Sequence, residues 1–551
     1  MRNLIKIGLL TVIVSFVSCS DNKKGITKNE LKSAEKIIGL EFTNSERDSL
    51  LEDLQIVRDD YKAIREVELS NSVSPKLIFD PRPTNFKIKN KQLDIKWNIP
   101  ENIEMPKNKN DLAFYSVSEL ASLIKNKKIT STELTKFYIK RLKKYGDTLE
   151  CVITITEKLA LKQAKKADQE IANGIYKGPL HGIPYGVKDL LAVKGYKTTW
   201  GAAPYKDQNI EYTAKVVRNL EKAGAVLIAK LTLGALAMGD VWYDGVTKNP
   251  WDLAQGSSGS SAGSASATSA GLVAFAIGTE TWGSIVSPAT RCGVTGLRPT
   301  FGRVSRDGAM ALSWSMDKIG PICRSANDCA MVFDVIRGID KNDQSTVSYP
   351  FNYTQNVDLS KLKVAYLKDL FEGEDYRGKD NDSKTLETLK KLGANFQEVK
   401  LPDHINVQSL AIILEAEAGA AFDELTRSNK DDELVAQHKY AWPNIFRKSR
   451  FIPAVEYIQA NRIRSLLIED FNKWIKDYDV IVCPSFGGDQ LLMTNLTGHP
   501  CVVVPNGFDE KNHPTSISFI GNLYDEATLL AFAKVYQDNT GHDNIHPDLF
   551  K

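Results

Sequence analysis

"GSSGSSAGSASATSAGLVAFAIGTETWGSIVSPA" runs from Gly256 to Ala289. Composition alone reads its first half as a flexible Gly/Ser linker. The context argues otherwise. "NPWDLAQ" precedes it, and an Ala-rich, helix-like pattern follows without a break. Gly271–Ile277 is apolar and leads into a Thr/Gly/Ser turn ending at Ser284. A linker separates domains, whereas this stretch lies inside a continuous pattern of strands and helices.

On either side, short apolar runs alternate with helical periodicity. "GIPYGVKDLL", "AVLIAKL", "KVAYLKD", "DVIVCPS" and "CVVVPNGF" read as strands. "TAKVVRNLEKAGA", "SKTLETLKKLGA" and "EATLLAFAKVYQ" read as helices, and so does Ala160–Gly174, with Gly174 as its stop. This alternation predicts a layered α/β fold. Nearer the N-terminus, Lys28–Leu69 predicts two amphipathic helices, and the Pro-rich stretch Ser74–Asn110 predicts extended chain. Two further helices follow from Ser116, the second capped by Ser131 or Thr132. No internal repeat of 20–50 residues is present.

The chain has 551 residues and a net charge of +3, with 42% hydrophobic and 25% charged residues. That is an ordinary globular composition. Without a basic run, nucleic acid is not an expected partner. The first residues carry a targeting pattern: Arg2 and Lys6, then the apolar Ile7–Val17, then "FVSCSDN". The apolar part is short for a bilayer span. It resembles a bacterial lipoprotein signal that would lipidate Cys19 and hold the protein at the cell envelope. A plain cleaved signal peptide is the other reading, and both export the chain. The other six cysteines, including Cys483 and Cys501 in strand-like runs, read mainly as buried thiols. With no CxxC or HExxH and scattered histidines, no metal is expected.

Three features point to chemistry. Lys188 lies in the strand-like "GIPYGVKDLL", where lysine is unusual. Asp189 is a poor partner for it, because neighbours on a strand point to opposite faces. The dense Gly/Ser run offers inward-facing amides and hydroxyls. In "GTETWGSIVSPA" a tight turn at Ser284 can aim successive N–H groups at one point, as an oxyanion hole requires.

"GVKD" at Lys188, "GSSAGS" at Gly259–Ser264 and "GTETWGSI" at Gly278–Ile285 together resemble the amidase signature family of Ser–Ser–Lys hydrolases. The likeness extends through "CGVTGLRPTFGRVSRDG", "DKIGPICRSANDCA" and "NLTGHPCVVVP", from about Ser116 to the end. It implies an α/β/α layered domain around a mixed central sheet, preceded by an N-terminal helical extension. The expected division is a signal over 1–19, a helical and extended segment over 20–110, and a catalytic domain over 111–551. The resemblance also implies roles: Ser284 as nucleophile, Ser260 as bridging serine after a cis Gly259–Ser260 peptide, and Lys188 as base. The amides of Thr281, Trp282, Gly283 and Ser284 would line the oxyanion hole. The implied reaction is cofactor-free hydrolysis of a linear carboxamide through an acyl-enzyme.

Such a lysine must surrender its charge near neutral pH, and burial among uncharged Ser and Gly favours that. Trp282 replaces the family's frequent Gly or Asp, so an indole is expected to narrow or floor the acyl pocket. Val286 stands where Arg is common and marks a branch of the family. Acyl specificity is expected from about Ser313–Phe451 and from the N-terminal extension. The aromatics of "HKYAWPNIFRKSRF" are read as pocket or core, and dimerisation is left open.

Three other readings compete. "GSSAG" also fits the nucleophile elbow of α/β-hydrolases, with Ser261 as nucleophile, but that elbow needs a preceding strand and "NPWDLAQGSS" does not read as one. The family includes the glutaminase (A) subunit of Glu-tRNA(Gln)/Asp-tRNA(Asn) amidotransferases, against which the export signal argues. The third is an envelope binding protein that has lost catalysis, which the intact Lys188, Ser260 and Ser284 disfavour.

Overall fold

Burial of whole strands organises the molecule. Pro184–Lys188, Val226–Leu231, Phe275–Glu280 and Val480–Pro484 are buried at every position. Strands hidden on both faces need layers of helix above and below. The computed structural model describes residues 25–373 and 376–551. The expected signal and Cys19 lie outside the described residues.

Eleven strands among the described residues form one mixed sheet. In spatial order they are Val152–Ile155, Val226–Leu231, Pro184–Lys188, Phe275–Glu280, Lys318–Cys323, Thr295–Arg298, Cys501–Phe508, Pro514–Gly521, Val480–Pro484, Val364–Leu367 and Phe396–Val399. Pro184–Lys188 runs parallel to both its neighbours, and so does Val364–Leu367. The pairs between these two parallel patches are antiparallel. Parallel neighbours need long crossovers, which the helices Lys215–Lys222, Ala262–Ser269 and Lys379–Lys391 provide. The result is the α/β/α layered fold expected from the sequence.

The linker-like stretch is a core element. Ala262–Ser269 is a helix with every residue buried. Only small side chains let a helix sit so deep among strands. Two local expectations are corrected. The helix Ser131–Leu149 is capped by Thr130, not Ser131 or Thr132, because Glu133 lies three residues on and closes a capping box with it. "DLAQG" is a strand after all: Asp252–Gly256 pairs with Lys248–Asn249 in a two-stranded ribbon separate from the main sheet.

The chain divides into two compact units, residues 1–69 and 70–551. The first holds the helices Lys28–Ile38 and Asn44–Glu66, each opened by a Thr–Glu capping box. Arg47 joins them through a bidentate pair with Glu35 at 2.6–2.7 Å. The second unit begins with an arm, residues 70–108, that has no regular secondary structure. All six cysteines after Cys19 are free and buried. No helix among the described residues is long and apolar enough to cross a membrane.

Candidate active site

Lys188 ends its strand fully buried. Its Nζ donates to Ser260 Oγ at 2.8 Å, Thr279 Oγ1 at 2.9 Å and Ser261 Oγ at 3.1 Å. All its close partners are neutral. Burial therefore dominates, and it pulls the ammonium down to about 7 against the more distant pull of Asp317 and Glu280. Asp189 points the other way, as strand alternation requires, and pairs with the buried Lys230 at 2.7 Å.

Ser260 follows a cis peptide from Gly259 and is buried. Gly259 is fixed by a close approach: a Cβ there would lie 1.8 Å from Gly239 O. Ser261 has a different task. Its hydroxyl donates to Thr279 O at 3.0 Å and accepts from Thr279 N at 3.1 Å. A hydroxyl clamped on a strand in this way is not presented as an elbow nucleophile, even though a short strand does precede it.

Ser284 stands on the turn after Phe275–Glu280, half-buried. Its carbonyl accepts from Ser261 N at 3.2 Å, which ties the turn to the Gly/Ser segment. No direct hydrogen bond joins its hydroxyl to Ser260 Oγ. Catalytic hydrogen bonds of this kind often close only around substrate.

The turn itself is built for an anion. Glu280 accepts from Ile285 N at 2.8 Å and Val286 N at 3.0 Å, satisfying the amides at the start of the helix Val286–Cys292. The preceding amides of Thr281, Trp282, Gly283 and Ser284 donate to no protein acceptor among the described residues. Gly283 adopts φ +85°, a left-handed conformation suited to glycine. Glu280 is itself held ionised. Burial alone would raise its pKa, but Arg298 at 2.8 Å, the Val286 amide and Asn495 at 2.9 Å outweigh that and bring it to about 2.

A cavity of about 750 Å³, counting its open mouth, lies beside Thr279 and Thr281. Leu190, Ala237, Met310, Leu312 and Ile319 give it apolar walls. Asp317 joins cavity to turn: it accepts from Thr281 Oγ1 at 2.6 Å, Leu312 N at 2.8 Å and Ser313 N at 3.0 Å. Trp282 is 39% exposed and is not among the residues lining the cavity, so the expected indole floor is not found there. In "HKYAWPNIFRKSRF", Trp442 and Phe446 stack in the core, while Tyr440 and Phe451 face solvent. Thr279, Glu280 and Asp317 escaped the sequence reading. The one signal was a carboxylate at the end of each of two apolar patterns, "GTE" and "SMDKIGP".

Fold and site together define an amide-cleaving enzyme. A family model described as Amidase matches residues 133–530, and the chain belongs to that family. It is 35% identical over 472 residues to the (A) subunit of glutamyl-tRNA(Gln) amidotransferase from Marinomonas sp. (strain MWYL1), covering 77% of this chain and 96% of that protein. Its counterpart of the same name from Geobacillus kaustophilus (strain HTA426) is 34% identical, with 79% and 99% covered. Among solved structures, native peptide amidase from Stenotrophomonas maltophilia superposes with a TM-score of 0.71 at 29% identity, covering 78% of this chain and 98% of that one.

Proposed function

We propose that this chain hydrolyses a carboxamide through an acyl-enzyme on Ser284, with Ser260 and Lys188 carrying the proton. The observation that carries the proposal is a buried amine with only neutral partners, 2.8 Å from a hydroxyl. Ser284 Oγ attacks the carbonyl carbon while its proton passes to Ser260, whose own proton passes to the neutral Lys188 amine. The carbonyl oxygen becomes an oxyanion facing the amides of residues 281–284. As the C–N bond breaks, the proton returns through Ser260 to the leaving nitrogen. Water then releases the acid by the same relay.

For the substrate, the curated relatives favour a glutaminase that releases ammonia for a tRNA-dependent amidotransferase. Their names carry that role, and the chain covers 96–99% of their length. The second reading is a self-sufficient hydrolase of linear carboxamides or C-terminal amides, exported and lipid-anchored through Cys19. The peptide amidase likeness and the signal-like N-terminus favour it.

One comparison separates the two. The full chain is purified gently from its native source and assayed for ammonia from glutamine and from peptide, aryl and fatty amides. Glutaminase activity that depends on copurifying proteins supports the first reading. Amide turnover by the chain alone, with palmitate incorporation that needs Cys19, supports the second. Turnover of no amide by either preparation overturns the proposal.

A further inference from the structure

The cavity beside the oxyanion turn has one wall that the catalytic motifs do not supply. Asn71, Ser72 and Ser74, at the start of the arm, line it opposite apolar residues of the main fold. This segment lies outside the span matched by the family model.

The arm is fixed in place. Asn71 uses its side-chain amide as a strand would use its backbone: Nδ2 donates to Ala311 O at 2.9 Å, and Oδ1 accepts from Ala311 N at 2.7 Å. Gln92 repeats the device on Phe351, at 2.9 and 2.8 Å. Between them Phe79 packs edge-on to Phe301 at 4.9 Å beneath the buried Arg464, and Thr84 N donates to Glu469 at 2.7 Å. An extended segment tied down at four points acts as a wall.

Its position also reaches the chemistry. Ala311, held by Asn71, adjoins Leu312, whose amide donates to Asp317, and Asp317 accepts from Thr281 on the oxyanion turn. The arm thus sets both the outer limit of the cavity and the seat of the loop that forms its floor.

We infer that Asn71–Ser74 is the specificity wall of the acyl pocket, with Asn71 as a positioning residue that sets how long an acyl group the enzyme accepts. The substrate class this selects has a short apolar stem, against Leu190, Met310 and Ile319, and a hydrogen-bonding tip that meets Asn71, Ser72 and Ser74. The inference rests on the reading of Ser284 as the acylated residue.

The test uses the full-length protein and alkyl fluorophosphonates from methyl to octyl, reading the rate of Ser284 labelling against chain length. Asn71→Ala opens the wall and should raise the long-to-short labelling ratio about tenfold, the effect of a methylene or two in an apolar pocket. Ser72→Trp fills the mouth and should move the ratio the opposite way. Melting temperatures show that both variants are folded, and a general loosening would not move the two ratios in opposite directions. Labelling at Ser284 with the wild-type ratio in both variants overturns the wall alone. No labelling of Ser284 in any form overturns the hydrolase reading and this inference with it.

Discussion

Lys188 Nζ lies 2.8 Å from Ser260 Oγ, with Thr279 and Ser261 hydroxyls completing its hydrogen bonds. The carboxylate next to it in sequence, on Asp189, belongs to Lys230 on the other face of the strand. A lysine placed this way loses its charge for want of water and of a counter-ion. That one arrangement supplies a base without histidine.

The rate of amide cleavage should rise with pH through a midpoint near 7. The base works only when neutral, so activity is lost as pH falls below that value. Lys188→Ala should reduce kcat by about 10²–10⁴-fold, the usual contribution of a positioned base, and abolish the midpoint. A kcat/KM profile of both proteins over pH 5–10 checks this.

The same desolvation makes Lys188 a stability liability. Its folded pKa lies below the unfolded value of about 10.4. The unfolded state therefore binds more protons between those values, and wild-type stability recovers as pH rises. Lys188→Met should be inactive but more stable. Its melting-temperature advantage should be greatest at or below pH 7 and shrink towards pH 10.

Ser284→Ala should lower turnover by a factor on the order of 10⁴–10⁶, as removal of an acylated nucleophile does. Ser261 is fastened to Thr279, so a fluorophosphonate adduct should map to Ser284 and not to Ser261. Peptide mapping by mass spectrometry gives the answer.

Glu280 should matter most for folding. Glu280→Ala leaves the buried Arg298 without its carboxylate and uncaps Ile285 and Val286. Loss of one partner from a buried pair costs about 3–5 kcal/mol, measurable by urea unfolding. Its pKa of about 2 lies below the unfolded carboxyl, so its stabilisation is full above about pH 4.3 and is lost as pH falls towards 2.

Much of this was legible in sequence because the motif residues are local. The turn at Ser284 follows an apolar run that forms its strand, and Lys188 was conspicuous because lysine is rare in a buried strand. Glu280 and Asp317 were not legible as site residues. Their partners, Arg298 and Asn495 for one and Leu312, Ser313 and Thr281 for the other, come together only through the sheet and loops. "DLAQG" lacks the alternation of a half-buried strand, since its pairing is confined to a small ribbon. The arm read simply as extended chain. Its meaning lies in Asn71 and Gln92, whose side chains imitate a strand partner and leave no periodic trace.

The central claim is tested most directly by titrating Lys188 itself. NMR of the folded protein with isotopically labelled lysine, assigned by comparison with Lys188→Met, reads the charge of this one amine. A midpoint near pH 7 is predicted. An amine that stays protonated above about pH 9, close to the ordinary lysine range, would contradict the account.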